Sequence, residues 1–158
     1  MTRLTAVMLA LCLLAAPAFA LPAKSELGLV GEFVSSNVEG EENPWTVNLS
    51  LLFPVGQGHI VLGPTVVLGS VDELNRMGAG LEWNFVGQGA VSPFIGAAGY
   101  YFQKDVDGMD SYTVTGLAGF KVAVGKGAAI KAYAFQIIDG RGADESDIGA
   151  AAGVIARF

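Results

Sequence analysis

Residues 45–53 read Trp-Thr-Val-Asn-Leu-Ser-Leu-Leu-Phe, and this stretch decides the fold. Its odd positions carry large apolar side chains, and its even positions include Thr46, Asn48 and Ser50. Successive side chains of a β-strand point to opposite faces, so a period of two predicts a strand with one apolar face and one polar face.

Seven further segments have about the length of a strand: residues 25–35, 58–69, 76–86, 91–103, 111–124, 128–138 and 147–158. The alternation is clean in four of them and less regular in 58–69 and 91–103. In 128–138 it is ambiguous, because Lys131 has the same parity as Tyr133 and Phe135. Pro64 lies inside 58–69 and cannot donate a hydrogen bond to a neighbouring strand, so we expect a bulge there.

The face opposite the large apolar side chains indicates what surrounds these strands. It consists mainly of Gly, Ala, Thr, Ser and Asn, with only occasional charges. A soluble barrel would place a face rich in Lys and Glu in water. The composition instead favours a narrow lumen filled with compact polar side chains, while the aromatic and branched face meets lipid.

The connections between the segments alternate between two kinds. Three are short and repeat a Val-Gly-Gln/Lys-Gly pattern, at residues 55–58, 86–89 and 124–127. The other four, near residues 36–44, 69–75, 104–110 and 139–146, are longer and mostly acidic. Short turns at one end and longer loops at the other are typical of an up-and-down barrel in an outer membrane.

Residues 1–20 predict a cleaved secretory signal peptide. Arg3 precedes an apolar run at 6–16, and Ala18 and Ala20 are small residues that favour cleavage after Ala20. The run is shorter than the roughly 20 residues that a membrane-spanning helix needs. We therefore divide the chain into a signal peptide, residues 1–20, and one barrel domain, residues 21–158.

Composition excludes several classes of protein and site. Cys12 is the one cysteine and lies in the predicted signal, so the mature chain would have no disulfide and no thiol-based site. Without Arg3 the chain has eight basic and 15 acidic residues, a net charge of −7. That balance argues against nucleic-acid binding through a basic face.

The final segment ends Val154-Ile155-Ala156-Arg157-Phe158, with small or apolar residues at every second position. With the signal and the alternating loops, this ending resembles the small eight-stranded outer-membrane β-barrel superfamily, of the OmpA and OmpX transmembrane type. The resemblance covers residues 21–158. It implies an all-β, eight-stranded, antiparallel, up-and-down transmembrane barrel in a Gram-negative outer membrane. It also implies that Phe158 is a signal for the barrel-assembly machinery.

An eight-stranded barrel has an interior just wide enough for side chains, so inward charges must be paired. The inward candidates are Glu26, Glu32, Asn48, His59, Glu82, Lys121 and Arg157. Because the first strand closes against the last, we expect Glu26 and Arg157 to pair. We interpret the set as a static polar plug; the alternative is a narrow gated pore whose opening exchanges these pairs.

Two other patterns suggest chemistry without specifying it. Asp105, Asp107 and Asp110 could form a weak divalent-cation loop that bridges to lipopolysaccharide, but they lack the other ligands of an EF-hand. His59 follows a short turn, which places it away from an outer-leaflet substrate and argues against a Ser–His–acid enzyme. We therefore predict no catalytic residues, no resident metal and no cofactor.

The sequence thus favours a non-enzymatic outer-membrane barrel with a structural role, or a role in surface interactions through short acidic loops. The expected partners are outer-membrane lipids, lipopolysaccharide and the assembly machinery, and we expect a monomer. Two alternatives remain open beside the pore. One is a soluble, exported, lipocalin-like barrel that binds an apolar ligand, with Trp45 and Trp83 inward. The other is an outer-membrane lipid-modifying enzyme.

Overall fold

The computed structural model describes residues 25–35, 45–55, 59–69, 75–86, 89–102, 111–140 and 148–158. They form eight strands, all within two residues of the predicted segment ends: β1 (Glu26–Ser35), β2 (Trp45–Val55), β3 (Ile60–Gly69), β4 (Arg76–Asn84), β5 (Val91–Phe102), β6 (Ser111–Gly125), β7 (Ala128–Gly140) and β8 (Ile148–Arg157). Within the described ranges, no helix is long and apolar enough to cross a membrane. The predicted signal peptide lies outside them.

Each strand pairs antiparallel with the next, and β8 returns to pair with β1, so the sheet is a closed barrel. The closing seam is regular from Glu26 opposite Arg157 to Ser35 opposite Ile148. A closed sheet has no unpaired edge strand. In an open sheet, such an edge can pair with other chains and cause aggregation. The predicted all-β, up-and-down, eight-stranded barrel is confirmed.

The two faces of the barrel differ sharply in chemistry. Trp45, Trp83 and Phe120 are about half exposed on the outer face, whereas Glu26 and Lys121 are almost fully buried on the inner face. This is the parity that the period-two pattern predicted. It contradicts the lipocalin-like alternative, which needed the two tryptophans inside.

The ambiguous strand β7 is resolved by its charge. Lys131, Tyr133 and Phe135 are all buried in the barrel, and Ile130 and Ile138 are exposed on its outer face. An ammonium group is costly on a lipid-facing or apolar surface, so the lysine fixes the parity and both aromatic rings go inside with it. Strand β7 is therefore aromatic on its inner face.

The bulge expected at Pro64 is wrong. The register of β2 with β3 is the same on both sides of this residue: Ser50 pairs with Thr65, and Phe53 pairs with Leu62. The ladder between β2 and β3 omits only the two intervening rungs, while Pro64 pairs regularly with Ala79 on β4. The missing N–H therefore costs hydrogen bonds locally and needs no inserted residue.

The seven connections lie at two ends of the barrel. The end that holds Ser25 and Phe158 also has the connections 56–59, 85–90 and 126–127. The strand ends at the opposite end border the longer connections 36–44, 70–75, 103–110 and 141–147, which except for residue 75 lie outside the described residues. At the first end the β1–β8 ladder extends by one more pair, because Ser25 and Phe158 exchange two backbone hydrogen bonds, of 2.9 and 3.1 Å.

Gly153 on β8 permits the close approach of β1. A Cβ at this position would collide with the backbone of Leu29 and Val30, which cannot move aside as a flexible side chain would. Gly31 on β1 is the natural contrast, because a Cβ there would meet only the Ala152 carbonyl oxygen, at 3.8 Å. Closure of the sheet therefore depends on glycine at 153 but not at 31.

We predict that Gly153→Ala destabilises the folded barrel by about 1–3 kcal/mol, the usual cost of overpacking. Gly31→Ala, on the same seam, should be close to neutral. Urea unfolding of the two variants refolded in detergent micelles measures both effects. Equal stability of the two variants would show that the seam does not need the glycine.

Candidate functional site

Five charged side chains form a continuous chain of ion pairs in the half of the lumen nearest the chain termini. Arg157 Nε lies 3.1 Å from one oxygen of Glu26, and the other oxygen of Glu26 lies 2.5 Å from Lys121 Nζ. Lys121 also pairs with Glu82 at 2.8 Å, and Glu82 pairs with Lys131. We call these five residues the basal chain; its charges alternate, with three cations and two carboxylates.

The topology explains this arrangement. Lys121 and Lys131 lie directly opposite each other on β6 and β7, where two like charges would repel. Glu82 reaches across from β4 and pairs with both ammonium groups. Phe94 lies beside them, with the two lysine nitrogens 5.3 and 5.0 Å from its ring centroid. The carboxylate and the ring face together stabilise the buried lysines.

A second network surrounds Glu32 in the other half of the lumen. Its carboxylate accepts hydrogen bonds from Thr46 at 3.0 Å, Asn48 at 2.9 Å and Tyr133 at 2.6 Å. Arg76 supplies the opposite charge, with Nη2 3.6 Å from Glu32 Oε2. Three strands, β2, β4 and β7, thus contribute four partners to one buried carboxylate, which satisfies it far from water.

The hydrogen bonds continue outward from Glu32. Asn48 also donates to the Tyr100 hydroxyl at 3.1 Å and accepts from Thr65 at 2.7 Å. The Arg76 guanidinium carbon lies 4.6 Å from the centroid of the Tyr100 ring. We call this set the upper network: Glu32, Thr46, Asn48, Thr65, Arg76, Tyr100 and Tyr133. Together with the basal chain it occupies most of the lumen with charged and hydrogen-bonded side chains.

The structure places six of the seven inward candidates on the inner face, all except His59, and it separates those six into two groups. Glu26, Glu82, Lys121 and Arg157 belong to the basal chain, whereas Glu32 and Asn48 belong to the upper network. The expected pair of Glu26 with Arg157 is present.

Sequence reasoning missed four large members of these groups: Arg76, Tyr100, Lys131 and Tyr133. Arg76 has the same parity as Glu82, so the pattern of its strand could have identified it. Lys131 could have been found by letting its charge, and not the neighbouring aromatic rings, decide which face of β7 points inward. The partners themselves depend on cross-strand register, which the sequence does not display.

The remaining site predictions fall elsewhere. His59 is wrong as an inward residue: it is exposed beside β3, and its Nδ1 donates to the Asn84 carbonyl oxygen at 3.2 Å. Phe158 is exposed at the end of β8, which leaves its assembly role a prediction. Asp105, Asp107 and Asp110 lie outside the described residues. Among those that are described, no group of His, Cys, Asp and Glu could hold a metal ion.

No protein-family model matches the chain, and no curated protein sequence matches it. Solved structures do share its fold. Neisserial surface protein A is 17% identical, with a TM-score of 0.57, over 85% of this chain and 96% of that one. The outer membrane protein OprG from Pseudomonas aeruginosa is 12% identical, with a TM-score of 0.56, over 87% and 97%.

A third structure is Ail, the attachment invasion locus protein of Yersinia pestis, in complex with the heparin analogue sucrose octasulfate. It is 14% identical, with a TM-score of 0.50, over 86% of this chain and 97% of that one. At these identities the likeness establishes the fold: this chain is a small, closed, eight-stranded barrel of the same architecture.

We predict that Glu82→Gln destabilises the barrel by about 3–5 kcal/mol, because two facing lysines lose the carboxylate that pairs with both. Lys121 keeps Glu26, so adding Lys131→Met to Glu82→Gln removes the ammonium that is left without a carboxylate and should recover a large part of that loss. Urea unfolding of wild type, both single variants and the double variant gives the coupling energy. Additive effects of the two substitutions would contradict the basal chain.

Proposed function

We propose that this chain is an integral protein of the bacterial outer membrane, exported by the predicted signal peptide. The observation that carries the proposal is the segregation of charge. Every charged side chain that the structure describes within a strand lies on the inner face, while the large side chains of the outer face are aliphatic and aromatic apart from Gln136. Such a surface would aggregate in water and suits the hydrocarbon of a bilayer.

The exposed aromatic residues support a bilayer-sized apolar band. Trp45 and Tyr112 lie near the long-connection end of their strands, and Phe53 and Phe120 lie eight residues farther along towards the other end. Eight residues span about 27 Å of strand, or about 21 Å along the barrel axis at a tilt of about 40°. That is close to the about 25 Å band of outer-membrane barrels.

The role we propose is structural, or one of surface interaction, and not catalytic. The charged lumen residues are paired with one another, and His59 lies at the end of the barrel that would face the periplasm. A general acid or base for an outer-leaflet lipid would have to lie at the opposite end. We propose that the barrel acts as a monomer whose biogenesis uses the assembly machinery through Phe158.

The four longer connections carry the surface chemistry of the proposed outer end. Their sequences contain two basic residues, Lys104 and Arg141, against eleven acidic ones: Glu39, Glu41, Glu42, Asp72, Glu73, Asp105, Asp107, Asp110, Asp144, Glu145 and Asp147. This charge favours cationic partners, or divalent ions shared with anionic lipopolysaccharide. It disfavours a polyanion such as the heparin analogue in the Ail complex.

Expression of the full chain with its own N-terminus tests the location. We predict that the protein fractionates with detergent-extracted outer membranes and migrates differently on a gel before and after boiling, because a closed barrel stays folded in unheated detergent. The gel shift and the fraction are the measurements. A soluble periplasmic protein with no gel shift would contradict the proposal and would reopen the search for a ligand inside the barrel.

The proposed plug also predicts an electrical result. Because the basal chain and the upper network both fill the lumen, the purified wild-type protein should show no conductance in a planar bilayer. Single-channel recordings of wild type and Glu82→Ala make the measurement. Steady wild-type openings would favour the gated pore over the plug.

A further inference from the structure

A cavity lies between the basal chain and the upper network, with about 20 Å³ of room for water centres. A water site needs about 10–15 Å³ of such room and two to four polar partners. Much of the lining is apolar, including Val30, Leu52 and Leu117, but five polar side chains and the backbone of Gly80 also border the cavity: Asn48, Thr65, Tyr100, Glu82 and Lys131. The cavity therefore has both the room and the polar groups that buried water requires.

The basal chain gives an independent reason for a ligand at this place. Lys121, in its middle, pairs with two carboxylates, whereas the end members Arg157 and Lys131 pair with one carboxylate each. Arg157 lies at the end of the barrel that holds the chain termini, where its side chain is 9% exposed. Lys131 lies at the other end of the basal chain, where it borders the cavity.

We propose that this cavity is a binding site for ordered water, which solvates the Lys131 ammonium and links the basal chain to the upper network. The water accepts from Lys131, donates one hydrogen bond to the carboxylate of Glu82 and donates the other to an oxygen of the upper network. An ammonium has three N–H donors, and the contact of Lys131 with Glu82 uses one of them. The basal chain and the upper network then form one connected polar network in the lumen and not two separate ones.

Gly80 offers a direct test, because it lines the cavity and a Cβ built on it meets only the Ala97 carbonyl oxygen, at 4.0 Å. Gly80→Ala adds a methyl group that competes with the water, and Gly80→Ser adds a hydroxyl that replaces one of its hydrogen bonds. Gly99→Ala on β5 is the matched control, because a Cβ there meets nothing within 4 Å.

We expect Gly80→Ala to lower the folding equilibrium constant on the order of tenfold relative to Gly99→Ala, since it leaves buried polar groups unpaired. Gly80→Ser should stay within about threefold of the control, because the hydroxyl replaces part of the water's bonding. Urea unfolding in detergent micelles measures all three variants.

A dry cavity predicts the reverse order, with Gly80→Ala at least as stable as the control, and that result would overturn the proposal. Equal losses in both Gly80 variants would assign the effect to the added carbon and would also overturn it. A crystal structure of the wild-type protein provides a second measurement. It should show density within hydrogen-bond distance of both Lys131 Nζ and Glu82.

Discussion

Pairing of β1 with β8 is the constraint on which the rest of the molecule depends. Hydrocarbon offers no hydrogen-bond partners, so a sheet that crosses a bilayer must satisfy every backbone group internally, and closure is the way a sheet does this. With eight strands, closure leaves a lumen of side-chain width. Charged residues on the inner face are then forced into contact, and glycine is needed where strands approach closely, as at Gly153.

The inner charges follow from the same constraint. Glu26, Glu82 and Glu32 are each almost fully buried, and each contacts a cation. Buried ion pairs add little net stability compared with apolar residues, but breaking one is costly. Their effect is to specify one register, because a shift of one residue would turn these carboxylates and lysines towards lipid. The plug and the alignment of the strands are thus two results of the same contacts.

Much of this fold could be predicted from residues 45–53 and their counterparts, because a period of two shows directly which side chains share a face. The strand ends were also predictable, since glycine-rich and acidic connections separate them. Strand β7 was ambiguous because aromatic rings suit either environment, and Lys131 decides between them. The bulge at Pro64 was wrong because an interrupted ladder can keep its register. The two networks needed cross-strand pairing, which local sequence does not contain.

The claim that the aromatic face meets lipid can be tested with the chain's own fluorescence. Its two tryptophans, Trp45 and Trp83, both lie on the outer face, near opposite ends of their strands. The protein should be refolded into vesicles of brominated lipids and compared with vesicles of unbrominated lipid. We predict strong quenching of the tryptophan fluorescence. The quenching should be greater for bromines near the headgroups than for bromines near the bilayer centre. Unquenched tryptophans in a folded, vesicle-associated protein would contradict the account.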